Sequence, residues 1–394
     1  MGKTRSAVAA AGLSALLALS GCAGGGGTAA DGNGDDQGPI TIGVITSLSG
    51  QYSVLGGFAK ETLDLYVEQL NSSGGIDGRT IKLEYADDQT NPTQAAIALR
   101  QMIAKKPTAI VGPVLSSSCL AIADKVEQAK IPMVTTCATD SQVEPIRKYV
   151  FMATLPTPGM TEQLAKYLKS VGKSKVAVLY DQGDFGTSGL KKLKEQGELD
   201  IVQDAGYQLS STTFVPQLSA LRQSGAEAIV VWGAGPPLVT IAKEYAQLGS
   251  TVPLVFSGAA ATPLFLGPAG AAGNGVITAS SLANVIGQVP STNPSKAKVT
   301  ALAAAYQTRY GKPMSQFTAD TCGAWEVITS AIEQAGTDPE KVRDAIEANG
   351  AVGCHGTYKY SADDHRGLSS GDVWVAVDQN GKLTATDFSV EAAG

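Results

Sequence analysis

The sequence predicts an α/β protein of two lobes, each a doubly wound parallel sheet, and three observations lead there. From Ile40, short β-rich runs alternate with segments of helical period, giving four such units within about 100 residues. The same rhythm restarts at Lys175 without a long linker. About 355 residues follow the first 39, more than one core normally organises, so two lobes are expected.

The chain opens with Lys3 and Arg5 and an apolar run from Ala7 to Leu19, the layout of a secretory signal. That run is shorter than the roughly 18–20 residues needed to span a bilayer. Leu19-Ser20-Gly21-Cys22 resembles the lipobox of bacterial lipoproteins, which implies a signal peptide at 1–21 and a diacylglyceryl group on Cys22. Residues 22–39 are rich in Gly, Ala, Asp and Asn, a composition that buries no apolar surface and behaves as a flexible tether. Acyl chains add about 0.8 kcal/mol per buried methylene, so such an anchor needs no spanning helix. The expected location is extracytoplasmic, held to the cell membrane by lipid alone.

In the first series, Ile40–Thr46 reads as a strand and Gly56–Leu70 as a helix, with Leu55, Ala59, Leu63, Tyr66 and Leu70 on one face. Thr80–Tyr85 is a strand, and a helix from Pro92 to about Lys105 takes its proline in the first turn. Thr108–Val111, Ser117–Gln128 and Ile131–Thr135 follow as strand, helix and strand. The second series has strands at Lys175–Tyr180, Glu227–Trp232, Val252–Phe256 and Val276–Thr278, with helices at Phe185–Glu198 and Pro237–Leu248. Helices are then expected at Ser295–Tyr310, Thr318–Ala335 and Pro339–Ala348, and closing strands at Thr357–Tyr360 and Asp372–Val377. In open parallel sheets ligands sit beyond the carboxyl ends of strands, so the loops entering helices are the places to inspect.

Charge and residue counts exclude several function classes. A net charge of −6 and no basic stripe argue against nucleic acid. The two histidines, His355 and His365, fall in a polar stretch read as a solvated surface hairpin, leaving little material for metal or acid–base chemistry. No G-x-S-x-G elbow, P-loop, H-E-x-x-H or strand-borne G-x-G-x-x-G is present, so an enzyme is not expected, and no cofactor or metal is called for. Apart from Cys22 there are four cysteines, Cys119, Cys137, Cys322 and Cys354. Four allow three pairings in an exported protein; the pairs nearest in sequence, Cys119–Cys137 and Cys322–Cys354, are favoured.

Six ordered stretches carry a resemblance: Ile42–Gly50, the turn at Asn71–Arg79, Tyr85–Ala95, Ile110–Cys119, Ile131–Asp140 and Val178–Gly189. Together they resemble the branched-chain amino acid binding proteins, type I periplasmic solute receptors of ABC importers, over about Ile40 to Asp378. The resemblance implies a three-strand hinge between the lobes. Lobe one would be 40–154 plus 282–370, and lobe two 155–281 plus 371–394. It also implies an amino acid or related small carboxylate as ligand, an ABC permease and ATPase as partners, and a monomeric receptor. A ligand-sensing ectodomain reporting to a signalling partner is the alternative.

The site residues follow from the same loops. Ser116, Ser117 and Ser118 open a helix after a strand, where serines cap and free N–H groups favour an anion. The resemblance assigns ligand carboxylate contact to Ser116, and a backbone carbonyl and a hydroxyl to Cys137 and Thr139. Leu55 and Tyr52 are expected from the first loop and Phe185 as a cleft aromatic, while Asp181 either contacts ligand or caps the next helix. Where the family commonly supplies a tyrosine and a glutamate to grip an ammonium, this chain has Gly235 and Ala259. Asp140, Asp181 or Asp320 would have to replace them, or the ligand lacks an amine.

Overall fold

Strands buried on both faces read as continuous apolar runs, and these runs form the centres of two sheets in the computed structural model, which describes residues 38–393. The leader expected at 1–21, the acylation site Cys22 and the tether as far as Gln37 lie outside the described residues. The first sheet comprises β1 (Ile40–Thr46), β2 (Ile81–Asp87), β3 (Ala109–Val111), β4 (Met133–Thr135) and β5 (Val150–Met152), all parallel, in the order β2-β1-β3-β4-β5. The second has β6 (Lys175–Asp181), β7 (Asp200–Tyr207), β8 (Ala228–Trp232), β9 (Leu254–Phe256) and β10 (Ile277–Ser281) in parallel. A short ladder of β11 (Ala351–Val352) and β12 (Thr357–Tyr358) stands apart from both. The chain then rejoins the second sheet through β13 (Val373–Gln379) and β14 (Lys382–Ala385), giving the order β14-β13-β10-β9-β8-β6-β7.

Two details depart from the expected parallel sheets. β13 runs antiparallel to β10 and β14 antiparallel to β13, because a two-residue turn at Asn380-Gly381 joins β13 to β14 as a hairpin. The expected closing strand at Thr357–Tyr360 pairs with β11 instead of extending a sheet.

Twelve α-helices flank the sheets among the described residues: α1 (Ser53–Ser72), α2 (Pro92–Ala104), α3 (Ser116–Ala129), α4 (Thr157–Ser170), α5 (Asp184–Gln196) and α6 (Val215–Gln223), then α7 (Pro237–Gln247), α8 (Pro263–Ala269), α9 (Lys296–Tyr310), α10 (Gln316–Ala335), α11 (Pro339–Asn349) and α12 (Asp387–Ala393). Local chemistry sets their ends. Asn91 accepts hydrogen bonds from the N–H groups of Thr93 and Gln94, with Pro92 in the first turn of α2. Ser315 and Thr318 form a reciprocal capping box at α10. α1 begins at Ser53 and not Gly56, because Asp87 holds the N–H groups of Leu48 and Ser49 while Thr90 holds that of Tyr52. The loop is thereby fixed early enough for the helix to start three residues sooner.

The order of each sheet positions the site. In both, the first strand of the series lies between the second and third, so the connections from β1 and β3, and from β6 and β8, leave in opposite directions. Such a switch point opens a crevice at the carboxyl ends of the strands.

The expectation of solvated histidines is corrected. His355 and His365 are both fully buried. The His365 ring stacks on Phe151 at 4.2 Å, and its Nδ1 lies 2.9 Å from the Val150 carbonyl oxygen. Tyr358 and Tyr360 donate their hydroxyls to the Ala153 and Met152 carbonyls. These long-range bonds sew a polar-looking segment onto the end of β5, and the polarity is spent internally. The Cys119–Cys137 and Cys322–Cys354 bonds are both present.

Candidate functional site

A cavity of about 310 Å³ lies at the carboxyl ends of both sheets. From the first series it is lined by Gln51, Tyr52 and Leu55 after β1, by Val114 to Ser117 after β3, and by Thr136 and Ala138 after β4. From the second come Asp181 and Gly183 to Phe185 after β6, Leu209 after β7, Ala234 after β8, and Gly258 and Ala259 after β9. Thr154, Met160 and the start of α10, with Gln316, Phe317 and Asp320, complete the wall. The volume lies at the lower end of small-molecule sites, roughly 300–1,000 Å³.

Ser116 and Ser117 line the cavity but do not cap the helix as expected. The capping position of α3 is Leu115, which has no side-chain cap, and the three serines are the first three helical residues. The first intrahelical bond from this end runs from the Cys119 N–H to the Leu115 carbonyl at 3.0 Å. The N–H groups ahead of it are those an α-helix leaves without internal partners, and they lie at its positive end. Ser118 is fully buried and lies outside the cavity lining, its hydroxyl without a hydrogen-bond partner.

Cys137, expected only through its backbone carbonyl, and Thr139 are likewise outside the lining. Side chains alternate along an extended segment, so Thr136 and Ala138 face the cavity while 137 and 139 turn inward. The Cys137 sulfur is bonded to Cys119, and its carbonyl accepts a hydrogen bond from Gln142 Nε2 at 2.9 Å. Gln142 also donates to the Thr139 carbonyl at 2.9 Å, while the Thr139 hydroxyl has no partner. The disulfide joins the first turn of α3 to the loop after β4, two segments that meet at the cavity.

Tyr52, Leu55, Phe185 and Asp181 do meet in the lining. Gly235 adopts a φ of +77°, and a Cβ there would stand 2.7 Å from Tyr52 Cε1. Tyr52 therefore occupies the space a side chain at 235 would fill, and only glycine accepts both the backbone and the ring. Phe185 packs against Trp232 with ring centroids 5.9 Å apart.

Of the three acids considered, Asp181 and Asp320 line the cavity and Asp140 does not. Asp140 is buried beside Arg366, whose Nε lies 3.3 Å from Oδ1; burial outweighs that cation and pushes the carboxyl up to about 6. Asp181 is 3% exposed and accepts the Gly183 N–H at 2.9 Å, so it holds the entry to α5; burial pushes it up to about 6 as well. Burial also raises the Tyr52 hydroxyl, and Asp181 adds to that shift. Asp320 is 2% exposed, its pKa raised by burial against the opposing hydrogen bonds of His355 and Thr154. Loop position after a strand cannot reveal Gln316 or Phe317, which arrive with the already considered Asp320 from a distant helix. The serine cap that starts α10 is the nearest sequence signal.

Among the described residues, no group of three or more His, Cys, Asp or Glu is placed to hold a metal ion, and no helix is long and apolar enough to cross a membrane.

The sequence profile described as periplasmic binding protein matches residues 39–382. The chain is 26% identical over 319 residues to the leucine-, isoleucine-, valine-, threonine- and alanine-binding protein of Pseudomonas aeruginosa, covering 79% of this chain and 82% of that one. It is 28% identical over 321 residues to a Leu/Ile/Val-binding protein of Rhizobium johnstonii, covering 78% and 83%. Its structure is similar to that of the leucine-binding protein LivK of Thermotoga maritima, with a TM-score of 0.76 at 25% identity over 88% of this chain and 97% of that one.

Proposed function

Because this chain belongs to the periplasmic binding protein family, whose members are extracytoplasmic binders and not enzymes, we propose that it is the lipid-anchored receptor of an ABC importer and captures an apolar amino acid. The observation that carries this reading is the opposed chemistry of the cavity. One wall offers the free N–H groups and hydroxyls of Ser116 and Ser117, a carboxylate site. The lining also offers the buried carboxylates of Asp181 and Asp320, and apolar surface from Leu55, Phe185, Leu209 and Phe317. A zwitterion with an apolar side chain satisfies all three.

Ligand touching both halves stabilises the closed arrangement by its differential affinity, and the permease reads that state. Cys22 and the glycine-rich tether would hold the receptor beside it, and Cys22→Ala would then release it from the membrane fraction. A thermal-shift screen with leucine, isoleucine, valine, phenylalanine, and the matching amides and deaminated acids tests the ligand class. A ligand at 100 times its dissociation constant adds about 2.7 kcal/mol of stability. Stabilisation by amino acids, reduced in Ser116→Ala/Ser117→Ala, which removes the hydroxyls and keeps the N–H groups, is expected. No response to any amino acid or carboxylate would overturn the reading.

A further inference from the structure

We propose that Asp320, backed by His355, is the group that takes the ligand's amine, and that the Cys322–Cys354 disulfide positions this pair; the proposal rests on reading the cavity as an amino-acid site. Asp320 sits in the second turn of α10, faces the cavity and is 2% exposed. His355 Nε2 lies 2.6 Å from its Oδ1. The other ring nitrogen, Nδ1, is buried without a hydrogen-bond partner. An imidazolium would place an N–H there with nothing to receive it. A neutral ring that donates from Nε2 leaves only a lone pair unmatched. Thr154, the second donor to the carboxylate, is neutral too. An ionised Asp320 held by these two neutral donors presents negative charge to the cavity.

That charge has no other compensation. Among the described residues no lysine or arginine lies within ion-pair distance of Asp320; His355 is its sole basic neighbour. Asp181 differs, because its Oδ1 is already engaged by the Gly183 N–H at the entry to α5. Of the two buried acids in the lining, Asp320 is the one that lacks a positive partner, and a buried carboxylate without one is costly. A primary ammonium supplies the partner.

The covalent frame fits this role. Cys322 stands two residues after Asp320, Cys354 immediately precedes His355, and the bond between them spans 32 residues. It brings α10 and the loop between β11 and β12 together at the point where carboxylate and imidazole meet. His355 is thus a positioning residue, acting through Asp320.

The test uses calorimetric titration of the purified chain with two probe pairs: L-leucine with 4-methylpentanoate, and L-phenylalanine with 3-phenylpropanoate. The amine-bearing member of a pair is expected to bind roughly 100-fold tighter than its deaminated partner. Asp320→Asn keeps an acceptor for His355 Nε2, and it should collapse that ratio to near one, chiefly by weakening the amine-bearing member. Cys322→Ser/Cys354→Ser and His355→Leu should lower the ratio in the same way, and His355→Gln, which retains a donor, should partly restore it. A full ratio in a folded Asp320→Asn variant overturns the proposal and leaves the amino-acid reading standing. Equal binding of acid and amino acid by the parent chain overturns the proposal while a carboxylate site remains. Binding of neither pair overturns both.

Discussion

Replacing Asp181 by asparagine should stabilise the ligand-free protein at neutral pH and leave it almost unchanged at pH 4. Asp181 is 3% exposed at the end of β6, and burial raises its carboxyl from 3.8 to about 6. Between about pH 4 and 6 the native state holds a proton that the unfolded chain has lost, so stability falls as pH rises through that window. Above pH 6 the full difference applies, about two units or roughly 3 kcal/mol. Asparagine carries no charge to bury and keeps an oxygen for the Gly183 N–H, so α5 retains its entry. Asp140 titrates in the same window in both proteins and cancels from the comparison. Urea denaturation at pH 7.5 should place Asp181→Asn about 3 kcal/mol above the parent, a shift of about 4 °C in Tm for a chain of this size. At pH 4 the gap should shrink below about 1 kcal/mol. A gap independent of pH, or a variant less stable at pH 7.5, would refute the assignment of Asp181 as a carboxylate held at a cost.

Two further expectations follow from packing and covalent structure. A Cβ at Gly189 would stand 2.3–2.4 Å from three atoms of the buried Trp232 indole, where α5 crosses β8. Overpacking of about 3 kcal/mol, less about 1 kcal/mol of helix propensity gained, should leave Gly189→Ala destabilised by about 2 kcal/mol in denaturant titration; unchanged stability would contradict the close packing. Removing Cys119–Cys137, which links residues 18 apart, should cost about 3 kcal/mol in the same assay and weaken ligand binding by loosening the start of α3. Full affinity in Cys119→Ser/Cys137→Ser would separate the disulfide from the site.

The sheets were readable where strands are buried on both faces. Ala228–Trp232 is a continuous apolar run and Ile40–Thr46 is buried along nearly its whole length, and their helical partners carry one apolar face each. β7 was not readable, because Asp200–Tyr207 forms an edge whose polar residues break the pattern, and β5 is only Val150–Met152. Helices α4 and α6 are not legible either: prolines at their starts and scattered polar residues conceal the period. In the site, loop position after a strand leads to Tyr52, Leu55, Ser116, Ser117, Asp181 and Phe185, all of which line the cavity. Cys137 and Thr139, implied by the resemblance and not by loop position, lie outside the lining, since composition does not say which side of an extended segment faces inward. His355 reads as a surface residue because its partner, Asp320, lies 35 positions away and the contact exists only after folding.

A crystal structure of the chain with a bound apolar amino acid tests the central claim most directly. The ligand carboxylate is expected within hydrogen-bond distance of the Ser116 and Ser117 N–H groups, with its amine on Asp320. A ligand seated with its carboxylate away from α3, or bound outside this cavity, would contradict the account.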